Sequence, residues 1–352
     1  SDGWTEVPVS TDNPDGFPWG DNNPSRRARL IVAFLLALAA GGYLYGHLLM
    51  KSASHTDFSQ ARFGAEAMLH GANPYALAGP NLVFDSPRTV LYPAFAYVAA
   101  IPFTLVNDRI ASVLFVALST FLLAYGVTDG SWHRLPIFPS FAYIVSLQFA
   151  QWSMLMTAAF FLPLLAFFGP IKPQSIIPVL AGNRSRAGLI AAVAGTVVLG
   201  GVSLILSPGW PMVWWSAIRE NHDLTPPVMR LGGFLVLLVL IRWRRPEAWL
   251  IATMALMPQT WGWYNVLVLL VIARTYREAC VLSLVSSLGM LGSLIYISDF
   301  KPPTYPRWGA AMIAFAYLPS VIAVLRRPNV NPTAAVPVLP LNFTSNVGTP
   351  IN

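Results

Sequence analysis

Residues 30–50 carry no charged side chain and a single imidazole, His47. About 20 such residues in a helix cross the roughly 30 Å hydrocarbon core of a bilayer, so the opening stretch is expected to be a transmembrane helix. The rest of the chain repeats the pattern. Only 11% of the 352 residues are charged and 55% are hydrophobic, against about 25% charged in soluble domains; mean hydropathy is +0.57. A disordered chain, a collagen and an ordinary cytosolic enzyme are excluded. The lone cysteine, Cys280, excludes a disulfide scaffold. The net charge of +7 sits between apolar runs, as loop charges do in polytopic proteins. The expected partner is therefore the lipid bilayer and not nucleic acid.

Further apolar runs fall at 89–106, 110–127, 136–149, 151–168, 187–207, 231–243, 248–260, 262–273, 279–297 and 308–325. Several are short or broken by proline, so the sequence predicts an all-α, polytopic protein of about 10–12 membrane elements, some of them not full spans. A polar tail (1–25) precedes a membrane domain (26–327), and a Pro/Asn/Thr-rich tail (328–352) follows it. The leader, with Asp2, Glu6, Asp12, Asp15 and Asp21, is unlike a signal peptide. Arg26, Arg27 and Arg29 flank the first span, and the positive-inside rule places both termini in the cytoplasm. Alternating crossings put Arg184/Arg186, Arg242/Arg244/Arg245, Arg274/Arg277 and Arg326/Arg327 on that same side; the crossings between 128 and 183 stay open. The setting is a multi-pass protein of the cell (inner or plasma) membrane.

Two loops, 51–88 and 207–230, then face outward. Within the first, residues 58–70 have helical periodicity, with Phe58, Ala61, Ala65 and Met68 opposed to Gln60, Arg62 and Glu66, as expected of an amphipathic helix on the membrane surface. Gly71 and Asn73-Pro74 end it. The second loop carries Trp210, Trp214 and Trp215, indoles suited to the headgroup zone.

Every Asp and Glu lies in a tail, a loop or at the end of a run. Ion-coupled transporters place such groups at membrane depth, which disfavours a small-solute transporter. No Walker A sequence, Gly-rich dinucleotide loop or metal-ligand spacing is present, so no cofactor is expected and no metal ligand is singled out, while a bound metal stays open. Asp57, just beyond the first span, has two readings: a helix N-cap, or a general base where a lipid-borne and a soluble reactant meet. Lys172, Arg219 and Arg230 are the cations nearest the outer face that hold a phosphate, or they anchor at the membrane edge by snorkelling. Gln151 bonds a sugar hydroxyl or a neighbouring helix. Trp261, Trp263, Tyr264 and Asn265 stack on a sugar or form an interfacial belt.

In order along the chain, several segments resemble membrane glycosyltransferases of the GT-C superfamily, especially the polyprenyl-phosphate-mannose mannosyltransferases and related arabinofuranosyltransferases. An external acid, Asp57, is followed by an amphipathic stretch closing on Gly71-Ala72-Asn73-Pro74-Tyr75. Then come Leu91-Tyr92-Pro93-Ala94, Ala150-Gln151, Lys172-Pro173, Asn221-His222-Asp223 through Arg230, and Met257-Pro258-Gln259-Thr260-Trp261-Gly262-Trp263. The likeness covers about 55–275. It implies a GT-C-like fold with an extracytoplasmic site, a polyprenyl-phosphate sugar as donor, and inverting transfer to a lipid or glycan acceptor of the cell envelope. Asp57 is then the base, Lys172, Arg230 and Arg219 meet the donor phosphate, and Gln151 lines the cavity with Asn73, Tyr75, Tyr92, Asn221, His222, Trp261, Trp263 and Tyr264. The chain departs from that pattern in having Ala150 where the family has Gly, Trp263, Tyr264 and Asn265 where it has His, and one helix fewer. Those departures keep open an inactive scaffold subunit of a larger membrane complex.

Overall fold

The computed structural model describes residues 24–50, 55–77, 92–220, 224–260, 262–297 and 304–329. Every regular element among them is helical, and one isolated antiparallel bridge joins Thr225 to Gln259. Most of the two expected tails, with parts of both outer loops, lies outside the described residues.

Helix α1 (Arg26–Met50) buries Ala33, Ala37, Ala40, Gly41, Leu44 and Leu48, a stripe at three- and four-residue spacing. Its partner is α4 (Asp108–Val127): a Cβ on Gly41 would meet Val113 at 3.4 Å. Small residues on the stripe let the two backbones approach. The pair is antiparallel, because Arg29 at the start of α1 reaches Asp129 and the Tyr125 carbonyl beyond the middle of α4. Ile31, Phe34, Leu35 and Leu38 on the other face of α1 are exposed. A helix apolar on all sides does not belong in water.

Among the described residues five helices are long and apolar enough to cross a membrane: α1, α4, α8 (Arg186–Leu206), α11 (Tyr276–Ile297) and α12 (Tyr305–Leu325), the last with a π-turn at Ile313–Tyr317. They point to a membrane protein. The other apolar runs fold into shorter pieces: α3 (Phe95–Ala100), α5 (Phe141–Gln148), α6 (Ser153–Ala158), α7 (Pro173–Asn183) and α10 (Pro246–Leu256). Between them are 3₁₀ stretches, Pro163–Ile171, Gly233–Arg242 and Trp263–Ile272. A 3₁₀ helix rises about 2.0 Å per residue against 1.5 Å in an α-helix. Ten residues of it therefore extend about 20 Å, against about 15 Å for ten residues of α-helix.

Those two ends differ in charge. At one, Glu247 accepts from Arg274 (2.6 Å) and Arg327 (3.1 Å), and Arg327 also bonds Glu278. Arg242 donates to Leu325 O, and Arg134 to Val271 O. Of the arginines expected to share a side, Arg245, Arg274 and Arg327 meet around Glu247. Asp57, Gln151, Lys172 and Arg230 gather at the other end, because each connecting segment runs from one group to the other.

Helix α2 (Asp57–Leu69) departs from the surface-helix expectation. Its inner face is covered by protein: Phe58 stacks on Phe115 at 4.1 Å and meets Trp152 and Phe103, while Gly64 lies against the Tyr97 ring. Its C-terminus closes as expected. Gly71 at φ +70 donates to Met68 O and Ala72 to Ala67 O, the paired bonds of a Schellman turn.

Candidate functional site

Four chain segments deliver the polar groups, and each has a local reason to stop where it does. At the start of α2 the cap is Thr56 and not Asp57: Thr56 Oγ1 accepts from Ser59 N, and Ser59 Oγ accepts from Thr56 N. Thr56 is tied further to Ser112 Oγ at 2.8 Å. Asp57, first residue of the helix, is released from capping, and its own N–H donates to Phe149 O at 3.0 Å. That bond pins the helix start to the end of α5.

The end of α5 is a second Schellman turn, with Ala150 N to Leu147 O and Gln151 N to Ser146 O. Ala150 occupies the left-handed position, φ +47, that glycine normally fills. The turn aims Gln151, fully buried, at the Asp57 carboxylate, to which its Nε2 donates. Its Oε1 accepts from Lys172 Nζ at 3.3 Å and from the Tyr92 hydroxyl at 3.4 Å. The two charges fix the orientation of the amide, since a carboxylate needs its N–H and an ammonium its C=O.

Lys172 sits at the tip between Pro163–Ile171 and α7, where Pro173 fills a first-turn position that needs no N–H. The side chain is 3% exposed. Besides Gln151 it donates to Ser153 Oγ at 2.8 Å, and its Nζ lies 4.6 Å from the centre of the Tyr264 ring. Burial pulls its pKa down to about 7, with Asp57 opposing the fall.

Tyr264 leads on to Arg230. Its hydroxyl pairs with Thr260 Oγ1 at 3.1 Å, and Arg230 Nη2 donates to the carbonyls of Thr260, Gln259 and Thr225. Arg230 is thus a clasp across the Thr225–Gln259 bridge. On the other flank Asn73 Oδ1 accepts from Tyr75 N, and the Tyr75 hydroxyl donates to Tyr92 O at 3.2 Å. Asn73 is exposed and acts on the turn that carries Tyr75.

Of the residues singled out in the sequence, Asp57, Gln151, Lys172, Tyr92 and Tyr264 meet directly or through one shared partner, and Tyr75 and Arg230 adjoin them. Arg219 is exposed on the last turn of α9 (Trp210–Glu220). Trp263 is buried against α11, where a Cβ on Gly289 would come within 2.9 Å of its ring. Asn221, His222 and Trp261 lie outside the described residues. Ser153 and Thr260 were not singled out as site residues. The available signal for Ser153 was a second polar side chain two positions after Gln151 in an otherwise apolar run. No group of three or more His, Cys, Asp or Glu side chains suited to a metal occurs among the described residues. No family model matches this chain, and no curated protein or solved structure matches it either.

Proposed function

We propose that this chain is a membrane glycosyltransferase that moves a sugar from a polyprenyl phosphate to a lipid or glycan acceptor at the outer face. One observation carries the reading: Asp57 and Lys172, far apart in sequence, are held on opposite ends of one buried amide, at the end of the bundle away from the arginine cluster. A carboxylate next to a buried cation suits a displacement in which one group takes a proton and the other meets a leaving anion. In that reaction Asp57 accepts the acceptor hydroxyl's proton as the new glycosidic bond forms. The bond from the sugar's anomeric carbon to the phosphate oxygen breaks, and Lys172 stabilises the phosphate. A single displacement inverts the anomeric carbon. The resemblance of the ordered segments to GT-C enzymes supports the donor class.

The test is transfer by purified protein from a radiolabelled polyprenyl-phosphate sugar to an envelope-lipid extract. Asp57→Asn is expected to lower turnover by about 10²–10⁴-fold, the range for a lost general base, with donor binding retained. Transfer at the wild-type rate would remove Asp57 from the chemistry.

A second reading has its own support. Gln151 already occupies Asp57, and three backbone carbonyls occupy Arg230 Nη2. A polar network satisfied by its own chain suits a scaffold subunit of a membrane complex, which would co-purify with partners in fixed ratio and turn over no polyprenyl-phosphate sugar.

A further inference from the structure

Away from the Asp57 site, the other end of the bundle brings Arg245, Arg274 and Arg327 around two carboxylates, Glu247 and Glu278, with Arg242 on Leu325 O and Arg244 beside Trp243. Both oxygens of Glu278 and one of Glu247 are engaged, while Glu247 Oε2 has no hydrogen-bond partner among the described residues. Glu247 Oε1 accepts from Arg274 and Arg327, and Glu278 from Arg327. Arg245 is left 3.9 Å from Glu247, and its Nη1 has no hydrogen-bond partner among the described residues although the side chain is only 6% exposed. Arg244 is exposed and lies over the Trp243 ring at 5.3 Å.

The approach to this cluster is apolar. Along and just before Gly233–Arg242, the side chains of Leu231, Phe234, Leu238 and Ile241 are exposed. At the end of that ladder Trp243 is 55% exposed, and Trp249 donates its Nε1 to Trp243 O at 2.6 Å. Exposed indoles bordering an apolar face mark headgroup depth. One stripe of surface therefore presents hydrocarbon, then indole, then guanidinium in excess of carboxylate.

We propose that an acidic phospholipid docks on this stripe, its acyl chains along the Leu231 to Ile241 ladder and its phosphate on the exposed Arg244, at the edge of the arginine cluster. The inference rests on the chain being embedded in a bilayer and is independent of glycosyl transfer. Guanidinium forks match phosphate oxygens, and each basic residue near a membrane surface favours anionic lipid. A zwitterionic lipid offers the same phosphate but adds an ammonium where positive charge is already in surplus, so net headgroup charge is the discriminating property.

The experiment is native mass spectrometry of the detergent-solubilised full chain, with equimolar phosphatidylglycerol and phosphatidylcholine of identical acyl chains. Wild type is expected to retain the acidic lipid at least about fivefold more than the zwitterionic one, the equivalent of one basic contact. Arg244→Gln, a change at an exposed side chain, should bring the ratio toward unity, and Arg244→Lys should restore most of it. Equal retention of the two lipids, or an unchanged ratio in Arg244→Gln, would overturn the proposal. So would full displacement of the lipid by millimolar inorganic phosphate, which would make the cluster a free-anion site.

Discussion

Ala150 holds a backbone conformation in which its Cβ crowds the following carbonyl, at a cost of about 1–2 kcal/mol for an L-residue. Replacing it by Gly relieves that cost but loosens the unfolded chain by about 0.4–1 kcal/mol and removes a buried methyl. The terms nearly cancel, so Ala150→Gly is expected to unfold within about 1 kcal/mol of wild type in detergent. Ala150→Val is the contrasting case. A β-branched side chain at positive φ is a steric outlier, and its turn should shift, destabilising the protein by at least about 2 kcal/mol and moving Gln151 off Asp57. Equal midpoints for the two variants would show that the left-handed turn does not hold the site. Lys172 gives a second prediction. Its folded pKa of about 7 lies below the usual 10.5, so the ammonium needed to hold an anion is lost as pH rises through about 7. A sugar phosphodiester keeps its own charge throughout this range. Its affinity should therefore fall by up to tenfold per pH unit above neutrality, measured with the purified protein, and Lys172→Arg should flatten the profile. The same sign makes the ligand-free protein more stable toward alkaline pH, since the neutral amine is the form the fold prefers. A flat binding profile in wild type would place the donor elsewhere.

Among the elements, α2 shows what the sequence made legible and what it did not. Its periodicity, its stop at Gly71 and the address of Asp57 are all written in local chemistry. Which of Thr56 and Asp57 caps the helix was not, because both are competent caps; the choice followed from Ser59 closing a capping box and from Ser112, which only the fold brings to Thr56. Its burial was equally hidden, since an amphipathic helix has the same pattern whether its apolar face meets lipid or Phe103, Phe115 and Trp152. The link between Gln151 and Lys172 was invisible for a similar reason. It depends on where Pro163–Ile171 turns back, and the apolar run 151–168 has no period that marks the break. The packing of α2 also makes a prediction: a Cβ at Gly64 would lie 2.6 Å from the fully buried Tyr97 ring. Gly64→Ala is expected to cost about 1–3 kcal/mol by overpacking, read as a lowered midpoint in chemical unfolding, and to reduce transfer because α2 carries Asp57. A midpoint equal to wild type would mean that α2 rides away from α3.

At the scale of the whole molecule the fold separates two kinds of polar chemistry. The arginine network ties the ends of α10, α11 and α12 together through Glu247 and Glu278, while the Asp57, Gln151 and Lys172 group closes the other end. Arginine in excess on one side of a bundle of apolar helices is what the positive-inside rule describes, and by that rule the site end is expected to be extracytoplasmic. This orientation is testable with single cysteines. Cys280→Ser removes the native thiol, after which Ala72→Cys, exposed beyond α2, and Arg277→Cys, exposed at the start of α11, report on the two ends. In intact cells freed of any outer wall barrier, a membrane-impermeant maleimide is expected to label position 72 readily and position 277 only after the membrane is opened. The reverse pattern would invert the protein and put Asp57 where cytoplasmic nucleotide sugars are the available donors. Labelling of both without permeabilisation would contradict a bilayer between the ends, and the acidic-lipid stripe and the sugar-transfer site would fall together.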